Sequence, residues 1–167
     1  MPKPPVIIVD RHDHVIGQKP RDQCRYSDTY RVSSLWLTNS HGDILLAQRS
    51  HTKDRNPGKW ATAAAGTHEL GDTYQSNVYK EAQEEIGLAG VTFVPSRKVF
   101  VDEPGESQFF CHYFTATADW PLQRFIIQTE EVEAIRWISP EHLRQDLKAT
   151  PQAYVPSMRF WLELGFI

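Results

Sequence analysis

The chain has 167 residues, with 18 Lys or Arg against 21 Asp or Glu, so its formal net charge is −3. This length predicts a single domain spanning residues 1–167, and a composition with 40% hydrophobic and 23% charged residues indicates a globular chain and not a disordered one. The near-neutral charge argues against a nucleic-acid partner, because proteins that bind the nucleic-acid backbone usually carry a clear basic excess.

The N-terminal part of the chain alternates strand-forming runs with turn residues. Its predicted elements, in chain order, are a hairpin of strands at 6–10 and 15–17, a polar connector up to residue 28, a second hairpin of strands at 31–38 and 44–48, and a polar, mostly basic loop over 50–59. The first apolar run has only four residues before Asp10, which is too short for a signal peptide. From these elements we predict that residues 1–28 form a hairpin followed by a connector.

The clearest helix is predicted over 73–86. Asp72 is a good N-cap, and Gln75, three residues later, would complete a capping box. Gly87 is a natural stop, since glycine adopts the left-handed conformation that ends many helices. The later predicted elements are strands at 91–94, 98–102, 108–117 and 134–138, a helix opened by Ser139 and Pro140, and a final helix over about 157–164. This order predicts an α/β fold in which helices cover a mixed sheet.

The two cysteines, Cys24 and Cys111, are too few for a disulfide framework or a four-thiolate zinc site. No apolar run approaches the ~20 residues of a membrane helix. These features predict a reduced, cytoplasmic protein with no membrane partner, and they leave a homodimer open.

The predicted helix has two distinct faces. Its apolar stripe consists of Val78, Ala82 and Ile86, and its acidic stripe consists of Glu81, Glu84 and Glu85. Like charges three and four residues apart repel each other on a helix, and the repulsion grows beside a core where water is scarce. Three carboxylates concentrated in this way favour a compensating cation, and oxygen ligands suit Mg²⁺ or Mn²⁺ far better than zinc.

Residues 66–88, with the sequence GTHELGDTYQSNVYKEAQEEIGL, resemble the Nudix box of the Nudix hydrolase family. The pattern of that box is G-x5-E-x7-R-E-U-x-E-E-x-G-U, where U is a bulky aliphatic residue. The matching positions are Gly66, Glu81, Glu84, Glu85, Gly87 and Leu88. The departures are Asp72 for Glu, Lys80 for Arg, and Ala82 for a larger aliphatic residue.

The resemblance implies an α/β/α sandwich with a mixed sheet, in which the box forms a loop–helix–loop. It implies that Glu81, Glu84 and Glu85 bind the Mg²⁺ or Mn²⁺ cofactor, and that the carbonyl of Ala65 often joins them. The box positions with an implied structural role are Gly66, Asp72, Lys80 and Gly87. The implied reaction is hydrolysis of a phosphoanhydride in a nucleoside diphosphate linked to a further group, or in a related pyrophosphate compound. The expected partner is therefore a small phosphorylated molecule.

Proton transfer and phosphate binding need further side chains. In the family, a box glutamate or an acid from a later loop accepts the proton of the attacking water, so Glu81, Glu84 and Glu131 are the candidate catalytic residues. Basic donors suited to phosphate cluster just before the box, and the candidates are Arg49, Lys53 and Arg55.

Two alternatives remain open. Residues 35–88 also resemble the isopentenyl-diphosphate isomerase branch of the superfamily, but that branch has Cys where this chain has Ala65 and a metal-binding His where it has Thr67. The acid that this branch carries on a later strand also has no clear counterpart in residues 107–111, so the isomerase mechanism would lack its acid and its base. The second alternative is a catalytically weak, nucleotide-sensing domain, which is favoured if Asp72 and Lys80 misplace the glutamates.

Overall fold

Nine strands and three α-helices occur in residues 3–167, the part of the chain that the computed structural model describes, and they confirm the predicted α/β class. In chain order they are β1 (Val6–Val9), β2 (Val15–Lys19), β3 (Thr29–Thr38), β4 (Ile44–Arg49), β5 (Trp60–Ala61), β6 (Ala64–Thr67), α1 (Tyr74–Ile86), β7 (Val94–Glu103), β8 (Ser107–Thr117), β9 (Val132–Ile138), α2 (Pro140–Ala149) and α3 (Arg159–Glu163). None of the helices in this described range is long and apolar enough to cross a membrane.

The central strand of the sheet is β3. It runs parallel to β8 along its whole length, from the pair Thr29–Gln108 to the pair Thr38–Thr117. On its other side β1 and β6 pair with it antiparallel, while β2 lies beyond β1 and β7 lies beyond β8. The strand β4 meets β3 only near the turn between them and pairs instead with β5 and β9. The sheet is therefore mixed, and it divides where β3 and β4 diverge.

Alternate residues of β3 face two different cores, as the period of a strand requires. Leu35 and Leu37 pack with the apolar stripe of α1 on one face. Trp36 packs on the other face with Leu143 of α2 and Trp161 of α3, whose ring centroid lies 5.3 Å from that of Trp36. Helices thus cover both faces, which gives the α/β/α sandwich that the resemblance to the Nudix family implies.

Some predicted boundaries are wrong. Of the strand predicted at 91–94, only Val94 lies in a strand, and it begins β7, which also contains the strand predicted at 98–102 and has an irregular register between Pro95 and Lys98. The second predicted hairpin exists only at its turn, because β6 occupies the edge of β3 that β4 would need. The last predicted helix is a 3₁₀ turn over Pro156–Met158 followed by the short helix α3.

The N-terminal end of α1 is also shifted from its prediction. The N-cap is Thr73, whose side chain accepts from the backbone of Ser76, and the Ser76 hydroxyl accepts in return from the N–H of Thr73 at 2.9 Å. The predicted cap of Asp72 and Gln75 is therefore wrong by one residue. Asp72 is engaged within the preceding loop, where it accepts from the N–H of Glu69 at 2.9 Å. At the other end Gly87 has φ 67°, the left-handed stop that the sequence predicts.

A buried carboxylate joins the N-terminal hairpin to the rest of the fold. Asp13, at the turn between β1 and β2, has a left-handed backbone with φ 65° and a side chain only 7% exposed. It accepts from Arg31 at 2.7 Å, from Lys98 at 2.6 Å and from the Tyr74 hydroxyl at 2.9 Å. Burial by itself would raise the pKa of Asp13, but these donors lower it below its ordinary value. Because Tyr74 is the first residue of α1, this cluster ties the hairpin to the helix and the sheet.

Replacement of Asp13 by Ala should destabilise the fold by about 2–4 kcal/mol, since it leaves Arg31 and Lys98 without their buried partner. The loss should be below that of a fully buried pair because the Lys98 side chain is 40% exposed. Urea denaturation measures it, with the exposed Asp22→Ala as a control that should change stability by no more than about 0.5 kcal/mol.

The effect of Asp13→Ala should depend on pH. A carboxyl with a lowered pKa stabilises the fold above its unfolded pKa, about 3.9 for Asp, and that stabilisation is lost as the pH falls through the folded value. Wild type and variant should therefore converge in strong acid. Equal effects of Asp13→Ala and Asp22→Ala at pH 7 would contradict this role.

Candidate active site

The acidic stripe of α1 is held against β6. The apolar stripe of the helix is fully buried, with Val78, Ala82 and Ile86 all at 0% exposure, and α1 packs on β3 and β6. Burial of that stripe fixes the rotation of the helix and leaves Glu81 and Glu85 beside the β6 backbone.

Gly66 lies in direct contact with Glu81. A Cβ atom at this position would lie 2.1 Å from Cδ of Glu81, a distance that side-chain atoms do not tolerate. Any residue larger than glycine would therefore displace the Glu81 carboxylate. The close approach explains in physical terms why the box begins with glycine here.

Burial raises the pKa of both half-buried carboxyl groups. It raises the pKa of Glu85 to about 8, with a further contribution from Glu81, although the N–H of Ala65 donates to Glu85 Oε2 at 3.1 Å and opposes the shift. Burial also raises the pKa of Glu81 to about 7. Burial and repulsion between acidic groups thus outweigh the nearby positive charges, Lys80 at Glu81 and Lys53 at Glu85. This acidic pair is stabilised either by protons or by a cation.

A small cavity of about 20 Å³ lies at Glu85, and its volume suits a single water molecule or ion. Its polar lining includes Arg49 from the end of β4 and Glu131 from the loop before β9. These residues are distant in sequence but meet because β4 and β9 pair, with Arg49 opposite Val132. The structure thus brings one predicted phosphate-binding residue and one predicted catalytic acid to the cavity at Glu85.

The basic loop folds back over this cavity. Lys53 forms an ion pair with Glu131, and the N–H of Ser50 donates to the Glu131 carbonyl at 2.9 Å. Arg55 is not at the cavity. Its guanidinium donates to the Tyr30 hydroxyl at 3.0 Å and to the Glu106 carbonyl at 3.3 Å. Of the three predicted phosphate ligands, Arg49 lines the cavity, Lys53 contacts its lining residue Glu131, and Arg55 does neither.

The three predicted metal ligands are not equivalent. Glu84 is exposed, whereas Glu81 and Glu85 are partly buried, and within residues 3–167 no three His, Cys, Asp or Glu side chains are grouped closely enough to hold an ion as they stand. The donor chemistry nevertheless fits a divalent cation, because carboxylate oxygens are hard ligands, and burial, which raises the pKa values of Glu81 and Glu85, disfavours their bare negative charges.

Asp72 and Lys80, the two polar residues that depart from the Nudix box pattern, contact each other. Lys80 donates to Asp72 at 3.0 Å and to Glu69 at 3.3 Å, and it makes no hydrogen bond to the acidic stripe among the described residues. The sequence prediction missed Asn77, which is fully buried and lies within hydrogen-bonding distance of both Asp72 and Glu81. Its position four residues before Glu81 could have indicated it, since residues at that spacing face the same side of a helix.

The chemistry of an isomerase is not supported by the cysteines. Cys111 is buried in the core that packs against α2 and α3, on the opposite face of the sheet from α1. Burial raises the pKa of its thiol to about 12. Ala65 stands beside Glu85 and supplies no acidic side chain. Neither position offers a proton donor at the cavity.

Known proteins resemble this chain over most of its length. The family model described as NUDIX domain matches residues 29–160. The uncharacterised Nudix hydrolase PA4841 of Pseudomonas aeruginosa is 31% identical over 160 residues, which cover 93% of this chain and 91% of that protein. An isopentenyl-diphosphate Delta-isomerase of Enterobacter sp. (strain 638) is 27% identical, with 92% of this chain and 86% of that protein covered.

The fold is also found among solved structures. The crystal structure of DR0079 from Deinococcus radiodurans superposes with a TM-score of 0.81 at 22% identity, covering 96% of this chain and 98% of that one. At this identity the likeness shows the fold alone, while the family follows from the matched model and from the relative at 31% identity. The chain thus belongs to the Nudix hydrolase family.

Proposed function

We propose that this protein is a Mg²⁺- or Mn²⁺-dependent pyrophosphohydrolase. It would cleave a phosphoanhydride in a nucleoside diphosphate linked to a further group, or in a related pyrophosphate compound. The observation that carries the proposal is one small cavity lined by Glu85, Arg49 and Glu131, with the buried carboxyl group of Glu81 beside Glu85 on the same helix. The reaction needs carboxylates that bind a divalent cation next to basic side chains that bind phosphate.

Glu81 and Glu85 would hold the metal, joined by Glu84 from the exposed side of the helix. When bound, a divalent ion would neutralise phosphate oxygens and make an attacking water more acidic. Arg49 would bind the phosphate whose bridging oxygen departs, and Lys53 would bind a neighbouring phosphate oxygen. Arg55, anchored at Tyr30 and Glu106, would meet only a part of the substrate that extends beyond the cavity.

The proton of the attacking water would pass to Glu131. This side chain is 30% exposed and lines the cavity together with Glu85, so a water between them can reach its carboxylate. Glu81 and Glu84 are the alternative acceptors. In the reaction, the water oxygen forms a bond to phosphorus, the bridging P–O bond breaks, and the displaced phosphate leaves. We keep the cytoplasm as the expected compartment because both cysteines are free thiols.

A phosphate-release screen over nucleotides and nucleotide-linked diphosphates with Mg²⁺ should identify at least one substrate. Glu85→Gln should lower kcat for it by roughly 100-fold or more, because a metal ligand supports several kcal/mol of transition-state stabilisation. Gln83→Ala, an exposed position on the same helix, is the matched control and should retain wild-type activity.

Other results would support other functions. Equal activity of wild type and Glu85→Gln would contradict the mechanism, and so would an absence of cleavage across the panel. Isomerisation of isopentenyl diphosphate in the same panel would favour the isomerase. Tight binding of a nucleotide without turnover would favour a sensing domain.

The metal-free protein should lose stability as the pH rises from about 6.5 to 8. Glu81 and Glu85, with folded pKa values of about 7 and about 8, hold protons that the unfolded chain has already released, so folding weakens as the pH rises. His68 acts with the opposite sign, but only between its buried pKa of about 4 and its ordinary 6.5. The window above pH 6.5 therefore isolates the glutamates.

Thermal unfolding in EDTA measures this dependence. At pH 8, Glu85→Gln should melt higher than wild type without metal, and added Mg²⁺ should raise the Tm of wild type more than that of the variant. If wild type and Glu85→Gln have parallel pH profiles in EDTA, Glu85 does not carry the raised pKa.

A further inference from the structure

Asn77 is a fully buried polar residue in the middle of α1 that the reaction described above does not use. Its Nδ2 lies 3.1 Å from Oδ2 of Asp72, 3.4 Å from Oε1 of Glu81 and 3.5 Å from the carbonyl of Thr67. One amide nitrogen with two hydrogens therefore faces three acceptors, two of which are carboxylates. Its Oδ1 is buried and has no hydrogen-bond partner in the described structure.

This arrangement is unfavourable for stability alone. Asparagine is a poor helix former, and a buried carbonyl oxygen without a donor costs about 1–3 kcal/mol. An apolar side chain of similar size would avoid both costs. Unlike an apolar side chain, asparagine can donate a hydrogen bond to Glu81, a candidate metal ligand.

The orientation of the Asn77 amide is set by its neighbours. Asp72 Oδ2 accepts from Lys80, from Asn77 and from the N–H of Glu69, and these donors keep its pKa below the ordinary value although burial alone would raise it. With Asp72 ionised, the amide must turn its N–H groups towards the two carboxylates, because the opposite orientation would place Oδ1 against them.

We infer that Asn77 is a positioning residue that orients Glu81 for binding of a divalent cation. The pair of Asp72 and Lys80 holds the Asn77 amide, and the amide holds the carboxylate of Glu81. The ammonium group of Lys80 contacts Asp72 and Glu69, so its hydrogen bonds reach Glu81 only through this chain of contacts. The inference rests on the proposed function, because it assumes that Glu81 binds the metal.

The test is the affinity of the full chain for Mn²⁺ alone, measured by the electron paramagnetic resonance of free Mn²⁺. Asn77→Leu keeps the branched shape and the number of side-chain heavy atoms, and it removes the donor. It should raise the Kd for Mn²⁺ by about 10- to 100-fold, the range found when the partner of a metal ligand is removed. The Tm of this variant in EDTA should be equal to or above that of wild type, because the unpartnered Oδ1 is gone.

A double-mutant cycle distinguishes the chain of contacts from independent effects. Lys80→Met should weaken Mn²⁺ binding in the same direction, and the combination with Asn77→Leu should be no worse than the more severe single variant, since both act through the same amide. Gln83→Leu is the control for an apolar substitution on the same helix and should leave the Kd unchanged.

A folded Asn77→Leu with an Mn²⁺ Kd within 2-fold of wild type would overturn the inference, and so would additive effects in the cycle. A further variant, Asn77→Ala, gives a third check. If it loses no more Mn²⁺ affinity than Gln83→Leu does, the inference is also overturned. The proposed function fails differently. If Glu85→Gln abolishes Mn²⁺ binding while Asn77→Leu leaves the Kd within 2-fold of wild type, the metal site stands and only the role of Asn77 is wrong. If wild type binds no Mn²⁺, both fail.

Discussion

The structure depends on the burial of one apolar stripe of α1. That stripe must face the core formed with β3, and no other rotation of the helix buries it. The same rotation carries Glu81 and Glu85 against the β6 backbone, where water is scarce and their pKa values rise to about 7 and about 8. Hydrophobic packing thus holds two like charges together that would separate on an isolated helix. The energy of that repulsion is what a divalent cation would relieve on binding.

The N-terminal hairpin helps to fix the start of α1, the helix that carries Glu81 and Glu85. The family model covers residues 29–160, so the N-terminal hairpin lies before the matched segment. Asp13 of that hairpin nevertheless bonds to the first residue of α1 and to Arg31 of β3. The same α1 residue, Tyr74, offers its carbonyl to Ser33 at 2.7 Å. Asp13 and Ser33 therefore both hold the first residue of α1, and the hairpin contributes to the rigidity on which the site depends.

The sequence predicts the parts of the site that depend on local spacing. The helix over 73–86, the stop at Gly87 and the acidic stripe follow from periodicity, and the structure differs from that prediction by one residue at the start. Contacts between distant segments are harder to predict. Glu131 reaches Glu85 only because β4 pairs with β9, and a sequence without that pairing gives no reason to prefer it over the neighbouring acids. The position of Arg55 has the same cause, since its contact with Tyr30 depends on how the basic loop crosses the sheet.

The departures from the box pattern are better understood as one unit than position by position. A lysine ammonium is a point charge and cannot direct a carboxylate as the planar fork of arginine does. The ammonium group of Lys80 donates to Asp72. The short side chain of Asp72 also accepts from the loop backbone and from Asn77. The planar amide of Asn77 then supplies the direction that the ammonium lacks. In this chain, orientation of Glu81 is thereby transferred from a charged side chain to a buried neutral one, and the cost is the unpartnered carbonyl of that amide.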